Sequence, residues 1–238
     1  EFLTYLRNFE FNGTIYAAKE GEIVFPREPI VRIEGNIIET QLLETLLLNI
    51  LNFESLIATK ASRIKYAAGG RKVLDFGLRR AQGLGGIQAS KAAYIGGVEA
   101  TSNVYSSFKD NIPASGTMAH SWIQSFDDEL TAFRKYAEYY PDDCILLVDT
   151  YDTLNIGVPN AIKVAKELED RGHRLKGIRL DSGDLAYFSR QARKQLDDAG
   201  LEYVKLAASN QLDERLLKSL LSHEAPIDVF GVGTRLVT

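Results

Sequence analysis

The chain has 238 residues and a formal net charge of −4, with 28 lysines and arginines against 32 aspartates and glutamates. This balance excludes the basic footprint of a nucleic-acid-binding protein, and the single cysteine, Cys144, excludes an internal disulfide. The longest apolar stretch, residues 42–51, contains polar interruptions and is shorter than the roughly 20 residues that span a bilayer. We therefore predict a cytoplasmic protein that binds neither nucleic acid nor membranes.

Residues 1–68 divide into a β-rich part and a helical part. Residues 13–34 alternate apolar and polar side chains around Gly21, Pro26 and Pro29, which predicts short antiparallel strands at one edge of a small β domain. From residue 37 onward, leucines and isoleucines recur at intervals of three and four residues. This pattern predicts one helix from residue 37 and a second helix that ends near Ala68, before two glycines.

Six short apolar runs follow, and each ends in small or charged residues. They are residues 73–83, 112–122, 145–153, 177–185, 204–214 and 228–238. Segments with helical periodicity separate them, such as the one that begins at Pro159 and stops at Gly172. A further strand is predicted at residues 94–101. Because units of roughly 20 to 40 residues fit βαβ crossovers, we predict a seven-stranded, incomplete α/β barrel with its chemistry at the strands' carboxyl ends.

The three histidines differ in their predicted positions. His173 and His223 follow helices and precede strands, so they are expected at the opposite end of the sheet from the active-site loops. His120 follows a predicted strand end and can reach the catalytic edge.

Acidic residues follow two of the apolar runs. Asp149 closes one strand and Asp152 starts the turn after it, while Arg179 and Asp181 repeat this arrangement two units later. Carboxylates around one edge suit Mg²⁺, ribose hydroxyls or the orientation of a histidine. The alternative for these aspartates, Asp184 above all, is the capping of a helix. No His/Cys cluster has the spacing of a zinc site.

Two segments are suited to anions. Arg79 and Arg80 stand at the end of the first run, where a guanidinium group would bind a carboxylate or a phosphate, or else pair with an aspartate across the edge. Residues 231–235, GVGTR, offer backbone N–H groups that glycines leave accessible, together with the hydroxyl of Thr234.

Taken together, these motifs resemble the nicotinate phosphoribosyltransferase family. The segments are DFGLRRAQG, SGTMAHSW, VDTYDT, GIRLDSGD, ASNQLDE and FGVGTRLVT, and the similarity covers nearly the whole chain. The resemblance implies that residues 1–36 are part of an open β-sandwich and that residues 37–238 form a helical connection and a seven-stranded α/β barrel. It also implies a homodimer with active sites at the subunit interface.

The reaction implied by the resemblance belongs to NAD salvage. Nicotinate and 5-phosphoribosyl 1-pyrophosphate give nicotinate mononucleotide and pyrophosphate, with Mg²⁺ and with ATP hydrolysis through a phosphohistidine, as in an ATP-dependent ligase. By the same resemblance, His120 accepts the phosphoryl group, Asp152 orients the imidazole of His120, and Asp149 completes the catalytic set. The implied contacts are Phe76 and Arg79 with the base, Thr101 and Ser102 beside it, Arg179 and Asp181 with substrate and ribose, Ser209 and Asn210 near the ribose phosphate, and Gly231, Gly233 and Thr234 with the 5-phosphate.

Three alternatives remain open at this point. A nicotinamide phosphoribosyltransferase would have an acidic residue where this chain has the neutral residues 101–103. A quinolinate phosphoribosyltransferase shares the fold but would need more cationic side chains for a dicarboxylate. The third alternative is a non-catalytic homologue. Because the chain opens without Met and stops just after a strand-like run, we also expect a segment of a longer protein that has little activity by itself.

Overall fold

The computed structural model describes residues 1–238, which form ten α-helices and eight strands. The helices are α1 (Phe2–Arg7), α2 (Ile37–Ala67), α3 (Gly85–Ile95), α4 (Val104–Asp110), α5 (His120–Ile123), α6 (Glu129–Tyr139), α7 (Val158–Asp170), α8 (Leu185–Asp198), α9 (Glu214–Ser222) and α10 (Thr234–Val237). The strands are β1 (Thr14–Ala17), β2 (Val31–Glu34), β3 (Lys72–Asp75), β4 (Ala100–Thr101), β5 (Ile145–Leu147), β6 (Gly177–Leu180), β7 (Lys205–Ala208) and β8 (Val229–Val232).

Six of the strands form one curled parallel sheet in the order β4-β3-β8-β7-β6-β5. Successive strands pair with one another from β5 to β8, and β8 then pairs with β3, the first strand of this series. This return to the first strand is the connectivity of a barrel. All six strands therefore direct their carboxyl ends to the same edge.

The predicted set of seven strands is not confirmed. The residue 94–101 region yields only the two-residue strand β4, because Tyr94 and Ile95 belong to α3. The run at residues 112–122 yields one isolated parallel bridge, between Ala114 and Thr101, rather than a strand. No pairing joins this region to β5, and the sheet is therefore a curled half-barrel of six strands.

The N-terminal region is an antiparallel pair followed by one long helix. Strands β1 and β2 pair from Thr14 with Glu34 to Ala17 with Val31, as the alternating sequence predicts. A β-sandwich is not confirmed, because these two strands form a separate two-stranded sheet. The predicted domain boundary after residue 36 coincides with the start of α2, while the division into two domains stays a prediction.

Helix α2 runs unbroken over 31 residues where two helices were predicted. The side chain of its N-cap residue, Asn36, accepts a hydrogen bond from the backbone of Ile38. By length and composition alone, α2 is the one helix here that could cross a membrane, although its apolar stretch was predicted to be too short. Core helices of water-soluble proteins meet the same criterion, so this finding assigns no membrane to the chain.

Helix starts in the α/β part are marked by aspartate caps. Asp128 begins α6, Asp184 begins α8 and Asp213 begins α9, each by accepting backbone N–H groups of the first turn. Helix α7 has Pro159 in its first turn, and the chain leaves it through Gly172 at a φ of +81°. These signals place the helices between the strands as the sequence predicts.

The hydrophobic core lies between the curled sheet and the helices that cover it. It begins at Ile57 in the second half of α2 and includes Phe133, Leu180 and Phe230, all fully buried. Cys144 lies in this core, and burial raises the pKa of its thiol to about 12. No residue before Ile57 is buried.

A core truncation tests the role of the sheet. Phe230→Ala in β8 should lower the free energy of unfolding by about 3–5 kcal/mol, since it removes a large side chain from a packed interior. Phe108→Ala is the matched control and should change it by less than about 0.5 kcal/mol, because Phe108 is 87% exposed. Urea denaturation measures both, and equal midpoints for the two variants would contradict the described core.

Candidate active site

A cavity of about 350 Å³ lies at the carboxyl edge of the parallel sheet. It is lined by residues near or just after the carboxyl ends of β3, β4, β6, β7 and β8, so five strands contribute to it. The predicted site residues that line the cavity are Phe76, Arg79, Ser102, Arg179, Asp181, Ser209, Asn210, Gly231, Gly233 and Thr234. The fold therefore brings together ten predicted site residues that are far apart in the sequence, from residue 76 to residue 234.

Phe76 forms one wall and is held against β8. Its backbone N–H donates to the carbonyl of Val232, and its ring lies on Gly231, where an added Cβ would come within 2.3 Å of Cε2. Only glycine leaves room for the ring at this position. The guanidinium carbon of Arg179 is 5.8 Å from the ring centroid. The aromatic face is thus fixed between a backbone and a cation.

Three arginines make the cavity cationic although the whole chain is acidic. Arg79, Arg80 and Arg179 line it, against a single lining carboxylate, Asp181. Arg179 is the most buried of the three arginines. It donates to the hydroxyl of Thr117, and its Nε atom has no hydrogen-bond partner. Burial lowers the pKa of Arg179, while the nearby carboxylates oppose this shift. Such a cavity suits an anionic ligand.

His120 lies at the start of α5, beside two carboxylates. Its Nε2 atom is 3.5 Å from Asp181 Oδ2 and 3.9 Å from Asp149 Oδ1, and its Nδ1 atom is 3.1 Å from the hydroxyl of Thr150. Asp149 Oδ2 accepts hydrogen bonds from the backbone of Asp181 and from the hydroxyl of Ser182. Both ring nitrogens therefore have polar neighbours, and 38% of the side chain remains exposed to solvent.

The predicted role of Asp152 is not supported by its position. Its carboxylate accepts from the backbone and the side chain of Asn155 and caps the π-helical turn Thr153–Gly157. These hydrogen bonds lower the pKa of Asp152, and its carboxylate is not among the polar partners of His120. The groups that do neighbour the imidazole are Asp149, Thr150 and Asp181.

Thr101 also differs from its prediction. It is 1% exposed, and its hydroxyl donates to the carboxylate of Asp75 beneath the cavity floor. Asn103 is equally buried, so Ser102 alone of this neutral loop lines the cavity. Thr101 is the last residue of β4 and faces the buried Asp75, whereas Ser102 is the first residue after the strand and is exposed.

The remaining edge is formed by the loops after β7 and β8. Ser209 donates a hydrogen bond to Asp181 Oδ1, which joins these two strand ends. Asn210 and Gln211 both have positive φ, +84° and +49°. Two successive non-glycine residues in the left-handed region are unusual and mark a strained turn at the cavity.

Two residues of the cavity, Gln211 and Thr117, and one neighbour of His120, Thr150, were not singled out from the sequence. Gln211 follows the predicted Asn210, Thr117 lies within the SGTMAHSW segment, and Thr150 lies between two predicted aspartates. Their segments were recognised, but nothing in residue type distinguished them from ordinary loop residues. His173 pairs with Asp142 away from this site, as its predicted position indicates.

No group of three or more His, Cys, Asp or Glu residues could hold a metal ion by itself. One buried carboxylate oxygen, Asp149 Oδ1, nevertheless lacks a hydrogen-bond partner and faces the site. Mg²⁺ is commonly held by one or two carboxylates together with substrate phosphates. Asp149 and Asp181 fit that mode.

Fold and site together define an α/β half-barrel with a cationic cavity and a histidine–carboxylate cluster at the strand ends. Comparison with family models agrees with this class. Residues 1–52 match the nicotinate phosphoribosyltransferase N-terminal domain, and residues 71–238 match the nicotinate phosphoribosyltransferase family. The chain belongs to the nicotinate phosphoribosyltransferase family.

Similar proteins carry the same name. The chain is 55% identical to nicotinate phosphoribosyltransferase of Bacillus subtilis, over 94% of its own length and 45% of that protein. It is 47% identical to nicotinate phosphoribosyltransferase pncB2 of Mycobacterium tuberculosis, over 100% of its length and 51% of that protein. The chain thus spans about half the length of the curated relatives it matches.

Solved structures share the fold. Human nicotinic acid phosphoribosyltransferase superposes with a TM-score of 0.90 at 32% identity, covering 98% of this chain and 58% of that one. Nicotinate-nucleotide pyrophosphorylase from Pyrococcus furiosus gives 0.82 at 31% identity, covering 95% and 58%.

The seat of Phe76 can be tested without any ligand. Gly231→Ala should displace the ring and lower the free energy of unfolding by about 1–3 kcal/mol, because the added Cβ would overlap it. Gly116→Ala is the control, since a Cβ there meets nothing within 4 Å. Chemical denaturation measures the cost, and a Gly231→Ala crystal structure with Phe76 unmoved would contradict the described packing.

Proposed function

We propose that the protein containing this chain transfers the 5-phosphoribosyl group of 5-phosphoribosyl 1-pyrophosphate to nicotinate. The observation that carries the proposal is the cationic cavity with Phe76 seated on Gly231, beside His120 and its carboxylates, in a member of this family. Both substrates are anions, which suits a cavity with three arginines. The names of the similar proteins support the same substrates.

The proposed chemistry places the pyridine ring on Phe76. Arg79 or Arg179 binds its carboxylate, and the phosphate region lies along Ser209, Asn210 and the Gly231–Thr234 segment. The ring nitrogen forms a bond to C1 of the ribose while the bond from C1 to the pyrophosphate oxygen breaks. Asp181 is placed to bind ribose hydroxyls and to stabilise positive charge that develops on the sugar. When bound, Mg²⁺ would be held by Asp149 and Asp181 and would neutralise pyrophosphate charge.

ATP use is the second part of the proposal. A ring nitrogen of His120 attacks the terminal phosphorus of ATP, and the bond to ADP breaks. Asp149 and Asp181 stabilise the cationic imidazole. In this proposal, these two aspartates have the orienting role that was predicted for Asp152. The exposed fraction of the ring leaves space for this substrate.

The residues that line the cavity discriminate between the alternative functions. Nicotinamide lacks the negative charge that the three arginines would bind, and Ser102 supplies no carboxylate to recognise an amide. A quinolinate enzyme is the second candidate, but it would have to bind two carboxylates as well as the donor's phosphates with the three arginines of this cavity. A non-catalytic homologue would bind the substrates without turnover. A homodimer, a cytoplasmic location and the two-domain division belong to the same proposal.

Product analysis separates these functions. The full-length protein is incubated with phosphoribosyl pyrophosphate and nicotinate, nicotinamide or quinolinate, each with and without ATP. Nicotinate mononucleotide as the main product, with ATP raising the rate, is the expected result. A main product from either other base, or substrate binding without any product, would contradict the proposal.

His120 should carry the phosphoryl group. Incubation with γ-labelled ATP should label the wild type, while His120→Asn should take up no label and lose ATP stimulation, because no ring nitrogen remains. His173→Asn is the control and should label normally, since this residue pairs with Asp142 outside the site. Phosphopeptide mapping checks the position, and label on His173 or His223 would contradict it.

Ser102 should contribute to base choice. The wild type should favour nicotinate over nicotinamide by at least about 3 kcal/mol in kcat/KM, and Ser102→Asp should lower this preference by repelling the carboxylate. Ser222→Asp adds the same charge at the end of α9, away from the cavity, and should leave the preference unchanged. Steady-state kinetics with both bases measure it, and equal preferences in all three proteins would refute the assignment.

A further inference from the structure

Asp75 is a buried carboxylate that the proposed chemistry does not use. It ends β3, is 1% exposed, and lies beneath the cavity rather than in it. Its hydrogen-bond donors are all neutral: the backbone of Gly77 at 2.7 Å to Oδ1, and the hydroxyls of Ser90 and Thr101, each at 2.7 Å to Oδ2. Burying a carboxyl group without a cationic partner is costly unless hydrogen-bond donors satisfy its oxygens, and here three donors converge on it.

The hydrogen bonds of Asp75 fasten two loops that line the cavity. Gly77 lies between Phe76 and the arginines, so the bond to Oδ1 fixes the start of that loop. The backbone carbonyl of Asp75 accepts from the N–H of Ser102. Thr101 in turn accepts from the backbone of Asn103. One residue therefore controls the aromatic wall and the Ser102 wall together.

A second layer of buried side chains holds Asp75 and these loops in place. The side-chain amide of Asn103 donates to the hydroxyls of Ser90 and Ser106, which belong to α3 and α4. Ser90, Asn103 and Ser106 are each at most 1% exposed. Because every member has partners inside the protein, the network defines a single geometry.

The opposite side of the cavity is built differently. Ser209 donates to Asp181, and Asp149 accepts from Ser182 and from the backbone of Asp181. These bonds join β5, β6 and β7 and do not include Asp75. The network under β3 and β4 thus directly supports the side that holds Phe76 and Ser102, and it reaches the Gly231–Gly233 segment only through Phe76.

We infer that Asp75 is a positioning residue that holds Phe76 and Ser102 at the pyridine base and affects the KM for the base more strongly than that for the phosphoribosyl donor. This inference rests on the proposed function. Asp75 touches neither substrate; it acts through the two walls that it fastens.

The test uses the full-length protein and four variants. Asp75→Ala and Thr101→Val should raise the KM for nicotinate by about tenfold or more, since small displacements of a binding wall are costly. The KM for phosphoribosyl pyrophosphate should rise by a clearly smaller factor, at most about threefold. Asp181 and Ser209 are held by bonds that do not involve Asp75, and only the Gly231–Gly233 part of the phosphate region adjoins Phe76. Asp75→Asn should restore the KM for nicotinate to within about threefold of wild type, since an amide can accept from Gly77 and donate to the hydroxyls.

Ser189→Ala is the matched control. Ser189 is also a fully buried helical serine, but its hydroxyl donates to the backbone of Ala186 in α8. It should lower Tm slightly without changing either KM, as a merely structural role would. If Asp75→Ala fails to fold, Thr101→Val and Asp75→Asn still carry the test.

Three results would overturn the inference. The first is an unchanged KM for nicotinate in folded Thr101→Val and Asp75→Ala, and the second is an equal rise in the KM values for nicotinate and for phosphoribosyl pyrophosphate. The third is an Asp75→Asn variant as impaired as Asp75→Ala, which would show that charge rather than position matters. Failure of the proposed function is distinguishable, because the wild type itself would then form no nicotinate mononucleotide.

Discussion

Strand β3 pairs in parallel with β8 over four residues, from Lys72 with Val229 to Asp75 with Val232. This contact joins segments more than 150 positions apart and turns the open series of strands into a curl. The same register places Phe76 on Gly231, because Phe76 comes directly after Asp75 and Gly231 directly precedes Val232, the partner of Asp75. Parallel pairing at such separation must overcome a large loop-closure entropy, and the buried side chains of both strands supply the compensation.

The acidic side of the site shows how like charges are kept close together. Asp149 and Asp181 both approach His120, yet each is neutralised in part by hydrogen-bond donors from its own surroundings. Arg179 adds a fixed positive charge 3.5 Å from Asp181. A positive charge on the imidazole would therefore be flanked by two carboxyl groups whose positions are already fixed by hydrogen bonds.

Sequence reasoning predicted the strand ends well because chemistry and local pattern coincide there. The runs ending at Asp149, Asp181 and Ser209 became strands with their polar residues at one edge, since each combines an apolar run with a clear stop. The runs at residues 94–101 and 112–122 gave only the two-residue strand β4 and one isolated bridge, because their glycines, prolines and short lengths left β pairing weaker than the adjoining helix or loop. Spacing could not show that Asp152 caps the Thr153–Gly157 turn by accepting from Asn155, because that contact depends on local backbone geometry.

Helix α2 is held at one end only. Its four buried residues, Ile57 to Ala67, all lie in its last eleven positions, while the preceding twenty face solvent or are only partly covered in the described chain. Local stability follows burial, so the free energy of opening must rise along this one helix from its first turn to its last. Amide hydrogens in a single unbroken element would then exchange over a wide range of rates, with the slowest ones next to α3 and α9.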